Sequence, residues 1–88
     1  MQAPLRFQAS SNTAYAILAT AAYWKGALIA NAGTDTVYFG NANTVDNTAF
    51  PLAAGKTLSV SYIKGPLYAI CPTAALDLRV MHDILNDV

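Results

Sequence analysis

The stretch FPLAAGKTLSVSYI, residues 50–63, decides how this chain is interpreted, because a GKT triplet stands directly before an alternating pattern. A phosphate-binding loop needs a glycine five positions before the Gly of GKT, and Phe50 occupies that position. From Leu58 onward apolar and polar residues alternate with the period of two that is typical of a strand. We therefore interpret AAGK as a tight turn before a strand, with Gly55 at a positive φ.

Turn signals recur along the rest of the chain at intervals of roughly eight to twelve residues, which favours a sandwich or barrel of short strands. The alanines of residues 14–24 suit a helix, but the alternation around Tyr15 and Ile17 favours a strand there. The sequence predicts one all-β domain spanning residues 1–88, a small antiparallel β-sandwich or barrel of about six to eight strands. The expected strands are 14–19, 26–31, 36–40, 56–63, 67–71 and 76–82.

The expected core consists of apolar residues on one face of these strands. Cys71 is the single cysteine, so it forms no intrachain disulfide and is expected to be a buried thiol. The predicted core residues are Ile17, Leu28, Val37, Phe39, Leu52, Leu58, Val60, Leu67, Ile70, Leu78 and Val80.

The composition of the 88 residues is poor in charge: 55% are hydrophobic and 11% charged, with five Lys and Arg against five Asp and Glu. Because typical domains carry about 25% charged residues, much of this surface is expected to contact other protein. No basic cluster is present to hold a phosphate backbone, so nucleic acid is not an expected partner. The most apolar window, residues 14–24, is too short to span a bilayer, and an origin in the cytosol without membrane association is expected.

The polar residues do not form a recognisable catalytic or metal-binding pattern. The segment GNANTVDNTAFPL, residues 40–52, has only one carboxylate, Asp46, whereas calcium loops need several. His82 adjoins Asp83, but no nucleophile-elbow motif accompanies this pair, so His82 is expected at the surface. The sequence therefore predicts no enzyme, and no catalytic, cofactor-binding or metal-binding residue.

Six apolar residues are candidates for a protein interface. Tyr23 and Trp24 lie in a segment too apolar for a solvent-facing loop, and Trp is common in interfaces, although a core position for Trp24 is the alternative. The terminal segments 1–11 and 82–88 are candidate arms that dock on another subunit, or else edge strands of the chain's own sandwich. Their apolar residues are Leu5 and Phe7 at the N-terminus, and Ile84 and Leu85 at the C-terminus.

Four motifs in order, NAGTDTVYFGN, FPLAAGKTL, GPLYAI and LDLRVM, resemble a family of small β-sandwich proteins encoded among the virion genes of tailed bacteriophages. The match covers residues 25–80. AAYWKGAL at residues 21–28 departs from the family by being more apolar, and HDILNDV continues past its usual end.

The resemblance implies a structural virion protein, a capsid decoration or cement protein. Such a protein is made in the host cytoplasm and lies on the capsid exterior. Its implied partners are the major capsid protein and further copies of itself, as a homodimer or homotrimer. A tail or fibre module remains an alternative. A carbohydrate-binding sandwich is another, with Trp24 and exposed tyrosines stacking on sugar rings.

Overall fold

The computed structural model describes residues 5–18 and 22–87, and for residues 22–23 and 84–87 it describes the backbone only. These residues form eight β-strands and no helix, as expected for an all-β chain. The strands are β1 Leu5–Ala9, β2 Tyr15–Leu18, β3 Ala22–Asn31, β4 Val37–Gly40, β5 Phe50–Leu52, β6 Thr57–Lys64, β7 Leu67–Ile70 and β8 Leu76–Asp87.

The strands make two four-stranded antiparallel sheets that are not closed into a barrel. The first sheet has the order β1-β8-β3-β6 and the second has the order β2-β7-β4-β5. The outermost pairs in sequence, β1 with β8 and β2 with β7, enclose β3 with β6 and β4 with β5. This arrangement is a jelly roll, in which a long hairpin of strand pairs is rolled into two packed sheets.

The core lies between the sheets and follows the predicted alternation. In the first sheet Val80 pairs with Leu5 of β1 and with Ile29 of β3, and Ile29 pairs in turn with Leu58 of β6. Ile29 and Val80 are fully buried, whereas Leu5 and Leu58, at the two edges, are not. Most predicted core residues are buried, and so is Cys71, while Leu58, Val60 and Leu67 are half-buried.

Leu28 was wrongly expected in the core. Its side chain is 44% exposed because Ile29, the next residue, faces inward, and neighbours in a strand point to opposite faces. His82 was wrongly expected at the surface. It is 8% exposed, because β8 continues through it and it pairs with the inward-facing Ala27.

Two strands were missed and two are longer than predicted. β1 and β5 are short, and β5 contains Pro51, which weakens any strand signal. β3 begins at Ala22 rather than residue 26, and β8 ends at Asp87 rather than residue 82.

The terminal segments are strands rather than arms where the structure describes them. β1 pairs along its whole length with β8, and β8 pairs with β3 as far as Asp87. Pairing within the chain gives these strands backbone hydrogen-bond partners, which a free arm would lack. Residues 1–4 and Val88 lie outside the described part of the chain.

Asn31 holds the junction between the sheets. Its side-chain Nδ2 donates to the carbonyl oxygens of Asp35 and Leu52 at 2.9 Å each, and its Oδ1 accepts from the Gly33 N–H at 3.0 Å. The Asn31 side chain is buried, and its hydrogen bond to Leu52 is shielded from water, whereas the other two are partly buried. Asn31 therefore ties the end of β3 to the following turn and to β5.

Glycine occupies two positions for different structural reasons. Gly55 has a φ of +77°, which confirms the predicted tight turn before β6. A Cβ added at Gly40 would lie 3.1 Å from Cγ2 of Val45, so this position is kept small by close packing of the loop. The peptide bond between Gly65 and Pro66 is cis.

Candidate functional site: interaction surfaces of the sandwich

The six residues proposed for an interface do not form one surface. Trp24 is 6% exposed and belongs to the core, where its ring packs edge-on against His82 with centroids 4.5 Å apart. The structure therefore places Trp24 in the core, which was the alternative prediction, rather than at an interface. The side chain points between the two sheets from β3. The backbones of Tyr23, Ile84 and Leu85 lie in β3 and β8, and their side chains lie outside the described part.

Leu5 and Phe7 lie on β1, at one open side of the sandwich. Leu5 is 39% exposed and Phe7 is half-buried. The Phe7 ring contacts the ring of Tyr15 on β2, with centroids 5.5 Å apart. This contact bridges the edges of the two sheets, so the side between β1 and β2 is partly closed by the chain itself.

The outer face of the first sheet carries an exposed apolar area that we call the outer patch: Leu28, Ala30 and Met81. Leu28 pairs directly with Met81 across the β3–β8 ladder, and a shallow depression of about 350 Å³ lies over them. On its other side Leu28 pairs with Ser59 of β6, which is uncharged. The centre of this face is therefore apolar and neutral.

Charged residues of β8 border the outer patch on both sides, Arg79 toward one end and Asp83 toward the other. The Arg6 guanidinium donates from Nε and Nη2 to the two carboxylate oxygens of Asp77, at 3.2 Å each, and Arg79 donates to the same carboxylate at 3.5 Å. The hydrogen bond from Arg6 is the main reason that the pKa of Asp77 is lowered. This cluster links β1 to β8 and borders the outer patch at Arg79.

At the opposite open side of the sandwich lies a second apolar area, which we call the β5/β6 cleft. Phe50 pairs directly with the buried Phe39 of β4. Phe50 is nevertheless 59% exposed, because β5 is the edge strand of its sheet. The cleft has a volume of about 180 Å³ and is lined by Phe39, Phe50, Leu58, Val60 and Leu67.

A polar depression of about 490 Å³ lies at one end of the sandwich. Tyr38 and Asn47 line it, together with Asp35, whose carboxylate accepts a 2.7 Å hydrogen bond from the Thr73 hydroxyl. The residues offer hydrogen-bonding groups and one aromatic ring, but Asp35 is the only carboxylate among them.

Ser59 and Ser61 are serines that could act as a nucleophile with the His82–Asp83 pair only if they lay beside it. His82 faces the core, whereas Ser59 and Ser61 are exposed on the outer face of the first sheet, so the structure does not assemble them. In residues 5–18 and 22–87 no three His, Cys, Asp or Glu side chains are grouped to hold a metal ion. The same part of the chain contains no helix long and apolar enough to cross a membrane.

In the loop of residues 41–49, Asp46 accepts hydrogen bonds from the backbone N–H and hydroxyl of Thr48. The side-chain bond is the larger cause of the lowered pKa of Asp46. This carboxylate therefore caps a turn, a common role of Asn and Asp side chains in loops.

Sequence reasoning missed both apolar surfaces. The outer patch had a detectable signal, because Leu28 and Ile29 are adjacent and cannot both face the core of a regular strand. The β5/β6 cleft had no such signal, since the exposure of Phe50 depends on which strand lies at the edge of the sheet.

Searches of protein-family models, curated proteins and solved structures found no match to the chain.

Proposed function

We propose that this chain is a structural virion protein, a capsid decoration protein that binds the outside of a phage head and stabilises contacts between major capsid subunits. The observation that carries the proposal is the outer patch, an apolar area centred on the exposed Leu28 of a four-stranded sheet. A surface of this kind suits docking on another protein. The choice of the phage head as the binding partner rests on the motif resemblance of residues 25–80.

The fold is compatible with this role without deciding it. Jelly rolls are found in viral capsid domains and also in lectins, and one fold hosts many functions. The low charge of the chain adds support, because a protein whose surface is shared with neighbours needs less charge to stay soluble. Its localisation would be the capsid exterior, and its partners the major capsid protein and further copies of the chain.

The proposal is tested by adding purified chain to particles that lack it. Wild-type protein should bind and should raise the temperature at which the particles release their DNA. Leu28→Lys should bind weakly or not at all, because it places a charge in the centre of the outer patch. Asn43→Lys, an equal charge change at an exposed loop position, is the matched control and should bind normally.

Both variants should melt at the temperature of the wild-type chain, since both side chains are exposed. Normal binding by Leu28→Lys would remove the outer patch from the proposal. Particles whose heat resistance is the same with and without the protein would overturn the capsid-stabilising role. Immunogold labelling of the tail rather than the head would favour the tail or fibre alternative.

A carbohydrate-binding role is the second candidate, and the polar depression around Tyr38 favours it. The original basis for this role has weakened, because Trp24 is buried and cannot stack on a sugar. Tyr38 is half-buried beside Asp35 and Asn47, a combination that can offer a ring face and hydrogen bonds. Binding on a glycan array that is lost in Tyr38→Ala would support it.

A further inference from the structure

We propose that two copies of this chain join through β6, which pairs antiparallel with β6 of the second copy and extends the first sheet across a two-fold axis at Ser59. This inference deepens the homo-oligomer within the proposed function and rests on that part of it alone. It requires nothing of the capsid.

Among the four edge strands of the described sheets, β6 is the one without an evident protective feature. β5 has three residues and contains Pro51, which lacks an N–H, and β2 has four residues with an irregular register. β1 has five residues and carries the charged Arg6 within its pairing segment. β6 has eight residues, no proline, and lysine only at its end. Long uncharged edges of this kind are the ones that recruit another strand.

The backbone groups available at this edge can be identified. The Lys56 carbonyl accepts a 3.0 Å hydrogen bond from the Asn31 N–H, so the backbone of this residue is turned toward β3. Backbone groups alternate in direction along an antiparallel strand. Those of Thr57, Ser59 and Ser61 therefore point away from β3, toward the free edge.

The regular part of β6 has a defined centre. It follows the turn at Gly55, and it ends before Tyr62, whose φ of +52° departs from strand geometry. Residues 57–61 remain, and their midpoint is Ser59. Antiparallel pairing of this segment with itself places Ser59 opposite Ser59, and Thr57 opposite Ser61, of the second copy. All of these residues point their backbone groups outward, giving about six hydrogen bonds.

The side chains are compatible with the same register. On the inner face, Leu58 lies opposite Val60 of the second copy, so two half-buried apolar side chains cover each other on either side of the axis. On the outer face, hydroxyl side chains meet hydroxyl side chains. Lys56 lies opposite Tyr62 of the second copy rather than opposite a lysine, so no like charges are opposed.

The β5/β6 cleft gives an independent reason for a second copy. A two-fold axis perpendicular to the sheet keeps both second sheets on the same side, so the two β5 edges approach each other beneath the joined β6 strands. The exposed Phe50 then gains a neighbour in Phe50 of the second copy. An apolar cleft that is open in one chain becomes part of a continuous core in two.

The test combines oligomeric state with a register assay. The wild-type chain should sediment as a dimer. Ser59→Pro should sediment as a monomer with an unchanged circular dichroism spectrum, because it removes an N–H that points to the free edge rather than to β3. Ser59→Thr, which keeps the N–H, is the matched control and should remain a dimer. If Ser59→Pro does not fold, Ser59→Lys replaces it, since it opposes two like charges at the axis.

Cysteine substitutions report the register directly. Ser59→Cys should form a disulfide-linked dimer under mild oxidation, because its Cα lies about 5.5 Å from its counterpart in such a pair. Ser61→Cys should not, since its partner is Thr57, while a mixture of Ser61→Cys and Thr57→Cys should cross-link. The native Cys71 is buried and does not compete.

A monomeric wild-type chain, a dimeric Ser59→Pro variant, or cross-linking of Ser61→Cys as efficient as that of Ser59→Cys would overturn the inference. These results are independent of capsid binding. A dimer that does not bind particles counts against the proposed function alone, and a monomer that binds them counts against this pairing alone.

Discussion

At the scale of single residues, Asn31 stabilises the fold by connecting the end of β3 to the following turn and to β5. It is 1% exposed and makes three hydrogen bonds to backbone groups of the turn and of β5. Asn31→Ala should lower the free energy of unfolding by roughly 2–4 kcal/mol, because it removes one buried and two partly buried hydrogen bonds to the backbone. Urea denaturation measures the loss. Asn43→Ala, in an exposed loop, is the control and should change stability little.

His82 shows how a residue can be misjudged from sequence. Its Nδ1 and the Nε1 of Trp24 are both buried, and neither has a hydrogen-bond partner among the described residues. His82→Leu should therefore stay within about 1 kcal/mol of the wild type, since removing an unpaired polar group offsets the lost ring contact. His82→Asp should cost at least about 3 kcal/mol, because it buries a charge. Equal unfolding midpoints for the two variants would place His82 at the surface instead.

At the scale of elements, β1 is held to β8 by backbone pairing and by the bidentate contact between Arg6 and Asp77. The pKa of Asp77 is lowered in the folded chain, so the folded state favours the ionised form. Its stabilising contribution is complete above the unfolded value of about 3.9 and is lost as the pH falls through the lower folded value.

Asp77→Asn should therefore melt below the wild type at neutral pH, by a small amount because the pair is exposed, and should equal it in strong acid. Thermal melts of both proteins across this pH range make the comparison. Arg6→Gln should reproduce the neutral-pH loss. A difference between Asp77→Asn and wild type that persists unchanged at the lowest pH would assign the effect to packing rather than to charge.

The elements also show where sequence reasoning succeeds. In β6 the inward Leu58 and Val60 alternate with small polar residues, so alternation predicted this strand. The β-branched and aromatic residues of β4 predicted that strand. The segment ending at Trp24 is apolar on both faces, and alternation could not place the start of β3 there. β1 is half-exposed at a sheet edge, which makes its pattern weak. Whether a strand lies at the edge or the centre of a sheet depends on the strand order. That order is set by pairings between residues distant in sequence, so the local pattern does not predict it.

At the scale of the whole molecule, the core and the open side should respond differently to the same truncation. Leu78 is fully buried, so Leu78→Ala should cost about 2–5 kcal/mol. Leu58 is half-buried at the β5/β6 cleft, and Leu58→Ala should cost roughly half as much in a monomer. Chemical denaturation in the Ser59→Pro background supplies the monomer. Equal losses would mean that β6 packs more deeply than the cleft suggests.

The same two substitutions reveal whether a second copy contributes to stability. If the folded chain is a dimer through β6, mass action makes its melting temperature rise with protein concentration, by roughly 3–6 °C for each tenfold increase. Ser59→Pro should melt at a temperature that does not depend on concentration. Leu58→Ala should then cost more in the wild-type background than in the Ser59→Pro background, because Leu58 also covers Val60 of the second copy, whereas Leu78→Ala should cost the same in both. A concentration-independent melt of the wild-type chain would show that a chain of this size reaches its stability without a partner strand.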